Sequence, residues 1–238
     1  YPMGITAENI NDKYQITRHQ QDEFALMSHQ HAVKAQKAGY FDSEIVPVEV
    51  KQKRTTVTVT VDEAPRPDTS LAALAKLKPA FKSDGSVTAG NASGINDGGA
   101  ALVLASESAV NRLGLTPLAE WQGSALVGLD PALMGLGPYY AINKLLKNQQ
   151  MAADDVETYE INEAFATQAL VCQDLLHLDP SAVNPWGGAI ALGHPVGCSG
   201  ARIIVTMINE MHRDNHELGI ASLCVGGGMG EAVLLKKI

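Results

Sequence analysis

Two glycine-rich segments hold the side chains of this sequence that are best suited to chemistry. Residues 187–202, GGAIALGHPVGCSGAR, contain His194 and Cys198, and residues 224–230, CVGGGMG, begin with Cys224. Glycines let backbone N–H groups approach a substrate closely, as an oxyanion hole requires. An imidazole and thiols beside such backbone favour acid–base or nucleophilic catalysis.

Neither segment fits a nucleotide-binding loop. GHPVGCSG lacks the glycine spacing of a G-x-G-x-x-G motif and the lysine of a P-loop. CVGGGMG is predicted to join two strands, so no helix N-terminus follows it to bind a phosphate. The catalytic interpretation is therefore preferred.

The histidines differ in their local context. His194 lies between Gly193 and Pro195 in a predicted loop, where no amphipathic pattern explains it. The remaining histidines lie on polar stretches and are expected to be solvated: His19, His29, His31, His177, His212 and His216. His29 and His31 resemble a metal-binding pair, but residues two apart on a helix face different directions, so no metal site is predicted.

The cysteines and one asparagine have both structural and functional interpretations. Cys224 ends a predicted strand, where clefts in α/β sheets open. Cys198 lies in a predicted first helical turn, whose dipole would lower its thiol pKa, and this makes it a rival nucleophile. Cys172 lies inside an apolar helix and is assigned to packing. Asn162 opens the predicted helix that starts at NEAF, either as an N-cap or as an amide directed into the cleft.

Composition excludes several classes of function. The chain has 238 residues, a hydrophobic fraction of 45% and a formal net charge of −8, which argues against binding nucleic acid or an anionic membrane. No apolar run reaches membrane-spanning length. Three cysteines without a C-x-x-C pair indicate free thiols in a reducing compartment, with the cytoplasm as the default location. The opening YPMGITAEN has no initiator Met and no signal peptide, which predicts processing or a longer parent chain.

Patterning predicts an α/β fold. A capping box at Thr17 and Gln20 opens a helix that ends near Gly39, and two strands follow at 45–50 and 55–61. LAALAKLK at 71–78 is predicted to be helical, and AALVLAS at 100–106 is predicted to be a strand. From Pro117 onward the order is β-α-β-α-β-α-β-β, with strands at 118–127, 156–161, VNPWGG, GIASLCV and EAVLLKK and helices at 138–149, from NEAF, and about 197–212.

Seven segments of the chain resemble the thiolases, in family order. NEAFA at 162–166, the glycine-rich segment 187–202 and LCVGGGMGEA resemble the three C-terminal signature blocks of that family. The other four segments are PMGITAEN, RPDTSLAALAKLKPAF, VTAGNASGINDGGAA and DPALMGLGP. The resemblance implies an acyl-CoA C-acyltransferase of fatty-acid metabolism, such as β-oxidation. It would cleave 3-ketoacyl-CoA by thiolysis or condense acetyl-CoA in reverse, with coenzyme A or acyl-CoA as substrate and no permanently bound cofactor.

The resemblance also implies a domain organisation. Thiolases have a duplicated α/β fold with a loop (lid) domain inserted in the first copy. Residues 1–95 would be the loop domain that contacts CoA, residues 96–116 the tail of the N-terminal core repeat, and residues 117–238 the complete C-terminal βαβαβαββ repeat. A faint internal echo, DGGAALVLAS at 97–106 and GMGEAVLLKK at 228–237, would then pair the last strands of the two repeats.

Residue roles follow from matching positions in the family's motifs. His194 resembles the histidine that activates the nucleophilic cysteine and binds the thioester oxygen, and Cys224 resembles the acid/base cysteine. Asn162 resembles the asparagine of the first oxyanion hole, and the N–H of Gly226 a donor of the second. Positions that match CoA-contacting or acyl-pocket positions are Arg66, Ser93, Met3, Met134 and Phe165.

Three departures from the family pattern matter. Pro2 stands where acetoacetyl-CoA thiolases often have histidine, and Cys198 where many relatives have alanine, which favours a packing role for that cysteine. None of the three cysteines fits the motif of the thiolase nucleophile, which is expected in a missing N-terminal repeat. The expected partners are that repeat, acyl-CoA, and a second or further copies in a homodimer or homotetramer.

Two other functions stay open from the sequence. The chain could be a non-catalytic module that binds CoA or an acyl group, with its acid/base residues as relics. It could also be a hydrolase in which Cys198 is the nucleophile and His194 its base.

Overall fold

The computed structural model describes residues 1–238 and has mixed α/β structure. The helices are α1 (Met3–Tyr14), α2 (Arg18–Lys37), α3 (Leu71–Leu74), α4 (Glu107–Leu113), α5 (Gly137–Gln149), α6 (Ala166–Leu176), α7 (Ala189–Leu192) and α8 (Ser199–Asp214). The strands are β1 (Val48–Gln52), β2 (Thr55–Val59), β3 (Ala119–Gly128), β4 (Thr158–Ile161), β5 (Leu218–Val225) and β6 (Met229–Lys237). Short 3₁₀ turns occupy 131–136, 153–155 and 180–182. No helix combines the length and the apolar character needed to cross a bilayer.

The larger sheet has the strand order β3-β6-β5-β4. β4 and β5 are parallel, whereas β5 pairs with β6 and β6 with β3 in antiparallel fashion. The strand predicted at VNPWGG is reduced to an isolated parallel bridge between Val183 and Tyr159. The predicted α/β class is thus confirmed, with one strand of the predicted order shortened to a single pair.

Helices cover both faces of this sheet. On one face, α5 contributes Ile142 and Leu145 to a core with Ile161 and Leu234. On the other face, Met207 and Met211 of α8 pack against Val233 and other side chains of β5 and β6. Burial of each such side chain stabilises the fold by about 1.5–3 kcal/mol. The alternating side chains of β6 are therefore buried on both faces, as in strands between two helical layers.

The N-terminal part of the chain packs onto one end of this sheet. The predicted capping box is confirmed, because Thr17 Oγ1 accepts from the N–H of Gln20 and the Gln20 side chain accepts from the N–H of Thr17. α2 then packs against α6 and α7, and α1 packs against α6 and the 131–136 turn. The β1–β2 hairpin lies outside this packing and is exposed.

The structure corrects several predicted boundaries. Residues 100–106 form no strand and are exposed, because no other strand of the chain runs beside them to accept their backbone hydrogen bonds. LAALAKLK is helical only over α3, because its polar remainder is exposed and has no helix to pack against. The predicted strands at 45–50 and 55–61 are shorter, as β1 and β2. The helix expected from NEAF begins at Ala166 with Phe165 at its N-cap, so Asn162 is not a capping residue.

Candidate active site

Two of the predicted residues are brought together by the parallel pairing of β4 and β5. Ile161 lies opposite Ser222 in this pair, and the N–H of Asn162 donates to the carbonyl of Ser222 at 2.9 Å. Asn162, directly after β4, and Cys224, near the end of β5, therefore lie at the same edge of the sheet. The carboxyl edge of neighbouring parallel strands is where clefts form in α/β proteins.

The His194 ring is fixed on both sides and at its backbone. Nδ1 lies 2.6 Å from Oγ of Ser199, and Nε2 lies 3.4 Å from the side-chain nitrogen of Asn162. The backbone N–H of His194 donates to the carbonyl of Gly94 at 3.1 Å. Burial, and secondarily the charge of Arg202, lowers the pKa of His194 below its usual value. The ring is therefore neutral at neutral pH and able to accept a proton.

The turn that carries His194 depends on a glycine. Gly193 has φ +98°, and a β-carbon there would collide with the side-chain oxygen of Asn96. That oxygen accepts a hydrogen bond from the N–H of His194 at 3.3 Å. A side chain at position 193 would displace the partner that holds the histidine backbone.

Cys224 lies in a small apolar cluster. Its neighbours there include Met134, Ala164 and Phe165, and each of the four is less than one-tenth exposed. Burial raises the pKa of the Cys224 thiol to about 11. The group is consequently a neutral thiol at neutral pH, which can donate a proton to a base formed beside it.

The turn between β5 and β6 presents a free backbone donor. Gly227 and Gly228 have φ of +96° and +89°, and a β-carbon at Gly228 would lie 2.5 Å from the carbonyl oxygen of Leu129. Gly226 precedes them and is exposed, and its N–H donates to no acceptor of the chain. Such an N–H can bind a developing oxyanion.

A buried carboxylate ties the N-terminal part of the chain to this edge. Glu163 accepts from Oγ of Ser28 on α2 at 2.6 Å and from the N–H of Ile190 at 3.1 Å. Asn184 donates to its other oxygen at 2.9 Å. A β-carbon at Gly188 would collide with this carboxylate. The glycine-rich segment 187–202 is thus shaped to receive Glu163, which immediately follows Asn162.

The structure corrects the expectation for Cys198. Cys198 is the N-cap of α8, and burial raises the pKa of its thiol, whereas the helix position predicted a lowered value. Neither ring nitrogen of His194 is hydrogen-bonded to it. Cys172 is fully buried on α6, and its Sγ donates to the carbonyl of Gly135, so its predicted packing role is confirmed.

Of the residues predicted to contact CoA, Arg66 lines a groove that leads toward His194. A cavity of about 390 Å³ extends from Arg66 and Ala73 past Ala92 to Gly193, the neighbour of His194. Ser93 is half-buried beside it, and its backbone N–H and Oγ both donate to the carbonyl of Ala164. The arrangement gives a path from an exposed arginine to the edge of the sheet.

Met3 is exposed, whereas His29 is buried. Met3 begins α1 and is 43% exposed, so it does not belong to the buried cluster around Cys224. His29 was expected to be solvated but is only 7% exposed, and its Nδ1 accepts the backbone N–H of Arg66 at 3.2 Å. The ring is buried because it supports the segment that carries Arg66. In the sequence, only the two-residue spacing from His31 distinguished His29 from the other histidines.

Sequence reasoning missed two further side chains at this site. Phe81 packs edge-on against Phe165, with ring centroids 6.2 Å apart. Ser199 contacts the His194 ring, as described above. Ser199 lies five residues after His194 in the same glycine-rich segment, and this spacing on a turn that enters a helix could have identified it. Phe81 had no comparable signal, because its contact spans 84 residues of sequence.

Comparison with known proteins gives a consistent result across the chain. Residues 1–108 match the family model "Thiolase, N-terminal domain", and residues 115–237 match "Thiolase, C-terminal domain". The chain is 49% identical to the peroxisomal 3-ketoacyl-CoA thiolase of Homo sapiens, over 99% of this chain and 57% of that protein.

Solved structures agree. The acetyl-CoA acetyltransferase of Bacillus anthracis matches with a TM-score of 0.97 and 52% identity, over 99% of this chain and 60% of that one. The human mitochondrial 3-ketoacyl-CoA thiolase in complex with CoA matches with a TM-score of 0.92 and 44% identity, over 100% of this chain and 59% of that one. The chain thus spans about three-fifths of the length of these relatives. The ordered motifs, the fold and these matches together show that the chain belongs to the thiolase family.

Proposed function

We propose that this chain carries the thioester-binding and acid/base machinery of an acyl-CoA C-acyltransferase. The observation that carries the proposal is the placement of three groups at one sheet edge: the His194 ring, the Asn162 amide in contact with it, and the Cys224 thiol near the end of the neighbouring strand. The free N–H of Gly226 adds an oxyanion donor at the same edge. A Claisen-type step needs such a proton donor and such N–H groups where negative charge develops.

In the cleavage direction, the proposed reaction begins with a proton transfer. His194 accepts the proton of an attacking cysteine thiol, whose sulfur bonds to C3 of a 3-ketoacyl-CoA. The C2–C3 bond breaks, its electron pair forms the enolate of acetyl-CoA, and Cys224 donates its proton to C2. Coenzyme A thiol then returns a proton to the Cys224 thiolate as its sulfur takes the acyl group from the enzyme, and the released cysteine thiolate recovers its proton from His194. The raised pKa of Cys224 suits the donating step.

The attacking cysteine is proposed to lie outside these 238 residues. Cys172 is sealed in the core, Cys198 is not bonded to His194, and Cys224 is assigned to the acid/base role. The matched relatives are longer than this chain, which leaves room for a further cysteine. We likewise propose the homo-oligomeric state and the division at 95/96 and 116/117 from the family resemblance, and the cytoplasmic location from cysteine usage. The human relative named above is peroxisomal, so location is a separate question.

Coenzyme A is the proposed ligand of the groove that starts at Arg66. An exposed guanidinium suits a phosphate, and the groove extends to Gly193, where a thioester would meet His194. Ser93 would line the path, and Met3, Met134 and Phe165 would contact the pantetheine arm or the acyl group. The structure of the human mitochondrial relative with CoA supports this ligand class.

The test separates the two cysteines in the full-length protein that carries this chain. We expect Cys224→Ser to abolish deuterium exchange at the α-carbon of acetyl-CoA, because a serine hydroxyl is far less acidic than a thiol. The same variant should still form acyl-enzyme, measured by mass spectrometry. Cys198→Ala is the matched control and should change neither signal.

Each alternative function has its own outcome in that experiment. If the acyl group maps to Cys198 and is lost in Cys198→Ala, the protein is the Cys198/His194 hydrolase and not the acyltransferase. Binding of CoA with neither exchange nor acyl-enzyme in the full-length protein would identify a non-catalytic binding module.

A further inference from the structure

The strongest hydrogen bond of the His194 ring lies on the side that faces away from Asn162. Its partner is Oγ of Ser199, at 2.6 Å from Nδ1, and Ser199 has no exposed surface. A buried contact this short fixes both the plane of the ring and the position of one proton. That proton lies either on Nδ1 of His194 or on Oγ of Ser199.

The hydrogen bonds around Ser199 indicate which atom carries the proton. The Ser199 hydroxyl donates to the carbonyl oxygen of Pro195 at 3.1 Å. That oxygen also accepts the backbone N–H groups of Cys198 and Ser199, at 2.8 and 2.9 Å, which holds it in place at the start of α8. A serine hydroxyl has a single hydrogen. With this hydrogen committed to Pro195, Oγ can only accept from the ring, so Nδ1 carries the hydrogen.

The other ring nitrogen agrees with this assignment. A neutral imidazole has one N–H, so a protonated Nδ1 leaves a lone pair on Nε2. Nε2 contacts the side-chain nitrogen of Asn162 at 3.4 Å, and an amide nitrogen can only donate. Donor and acceptor roles therefore match around the whole ring.

We propose that Ser199 is a positioning residue that holds His194 in the Nδ1–H tautomer and directs the Nε2 lone pair into the active site. Its catalytic consequence rests on the proposed acyltransferase function. Nε2 takes the proton of the attacking thiol, and the resulting imidazolium keeps its Nδ1–H bond to Ser199. The new Nε2–H can then donate to the thioester oxygen, so one proton serves both steps and the ring does not turn.

The direct test is the tautomer of His194 in the purified protein. With ¹⁵N-labelled histidine, long-range ¹H–¹⁵N correlations at neutral pH should show a protonated Nδ1 and an unprotonated Nε2, with the signals assigned by their loss in His194→Ala. In Ser199→Ala, both tautomers should be populated. A wild-type ring protonated on Nε2 overturns the proposal, even if Ser199→Ala does not fold.

The kinetic test uses the full-length protein. Ser199→Ala should slow acyl-enzyme formation about 10- to 100-fold, because general-base catalysis contributes ~10²–10⁴-fold and only its positioning is lost. KM for the acyl-CoA should not change. The matched control is Thr206→Ala, since Thr206 lies on the same helix and is equally buried but donates to Glu44. Equal rates in wild type and Ser199→Ala would overturn the positioning role. The tautomer measurement needs no turnover, so it separates failure of this proposal from failure of the acyltransferase assignment.

Discussion

Residues 97–106 and 228–237 share a pattern of glycines followed by apolar residues, yet only the second segment contains a strand. β6 lies between β3 and β5 and is covered by α5 and α8, so its side chains are buried on both faces. Val103 and Leu104 in the first segment are 92% and 81% exposed. An apolar run becomes a strand only where neighbouring backbone accepts its hydrogen bonds.

The residues just before the first segment show the same rule on a smaller scale. Gly94 accepts the backbone N–H of His194, and Ile95 forms an isolated parallel bridge with it. The backbone is paired where it lies beside His194, and it forms no strand beyond that contact. The chain thus contributes to the active site just before the first segment, whereas the apolar end of that segment is exposed.

The largest expected difference between the segments is in the cost of burying a charge. Leu234→Asp on β6 should destabilise the protein by more than about 4 kcal/mol or prevent folding, because Leu234 is 1% exposed. Val103→Asp should change stability by less than about 0.5 kcal/mol. Urea unfolding followed by circular dichroism measures both. A large loss in Val103→Asp would show that this segment packs in solution, and the comparison would fail.

Glycine substitutions should differ by a smaller amount. A β-carbon at Gly230 on β6 would collide with the carbonyl oxygen of Gly137, so Gly230→Ala should cost about 1–3 kcal/mol. Gly99 has no atom within 4 Å of that position, and Gly99→Ala should stabilise by no more than about 1 kcal/mol. Thermal unfolding of the two variants gives the contrast. Equal effects would contradict the close approach between β6 and α5.

The buried face of the sheet also carries titratable groups. Arg202 donates to Glu160, and burial raises the pKa of Glu160 to about 8 despite that charge. Burial, with the neighbouring Glu160 charge, raises the pKa of Glu210 well above its usual range. One oxygen of each carboxyl has no partner while both are ionised, so the pair holds a proton in the folded state.

This pair predicts a pH dependence of stability. An unfolded glutamate loses its proton near pH 4.3, so between about pH 5 and pH 8 the folded state binds more protons than the unfolded state. Stability should therefore fall as the pH rises through this window, by about 1–3 kcal/mol. Glu210→Gln should flatten the dependence, and the exposed Glu107→Gln near the first segment should leave it unchanged. Denaturant midpoints at several pH values decide this, and a wild-type stability that rises toward pH 8 would contradict it.

The smallest expected difference concerns helix caps. Thr17 caps α2, which packs on α6 and α7, so Thr17→Ala should cost about 1 kcal/mol of global stability. Ser106 caps α4, which follows the first segment and has no buried residue, so Ser106→Ala should cost less than about 0.5 kcal/mol. Matched unfolding curves test this. A larger cost in Ser106→Ala would mean that α4 unfolds together with the core.

Much of the fold followed from local pattern. The Thr17–Gln20 capping box, the apolar spacing of α5 and α8, and the alternating runs of β3, β5 and β6 all appear near their predicted positions. The misplaced elements depended on distant partners: the absent strand at 100–106, the reduced strand at Val183, and the late start of α6. Asn162 was expected at a helix start, but it directly follows β4, where its backbone N–H donates to the carbonyl of Ser222.

The sequence by itself determined the family, because its ordered motifs are specific, and it determined which residue types were available for chemistry. Tertiary structure decided how those residues meet and in which state. The parallel pairing of β4 and β5 places Cys224 at the same sheet edge as Asn162, and burial there raises the pKa of the Cys224 thiol. Burial also reversed the expectation for Cys198. Local sequence carries propensity and spacing, whereas pKa values and hydrogen-bond partners depend on desolvation by segments far along the chain.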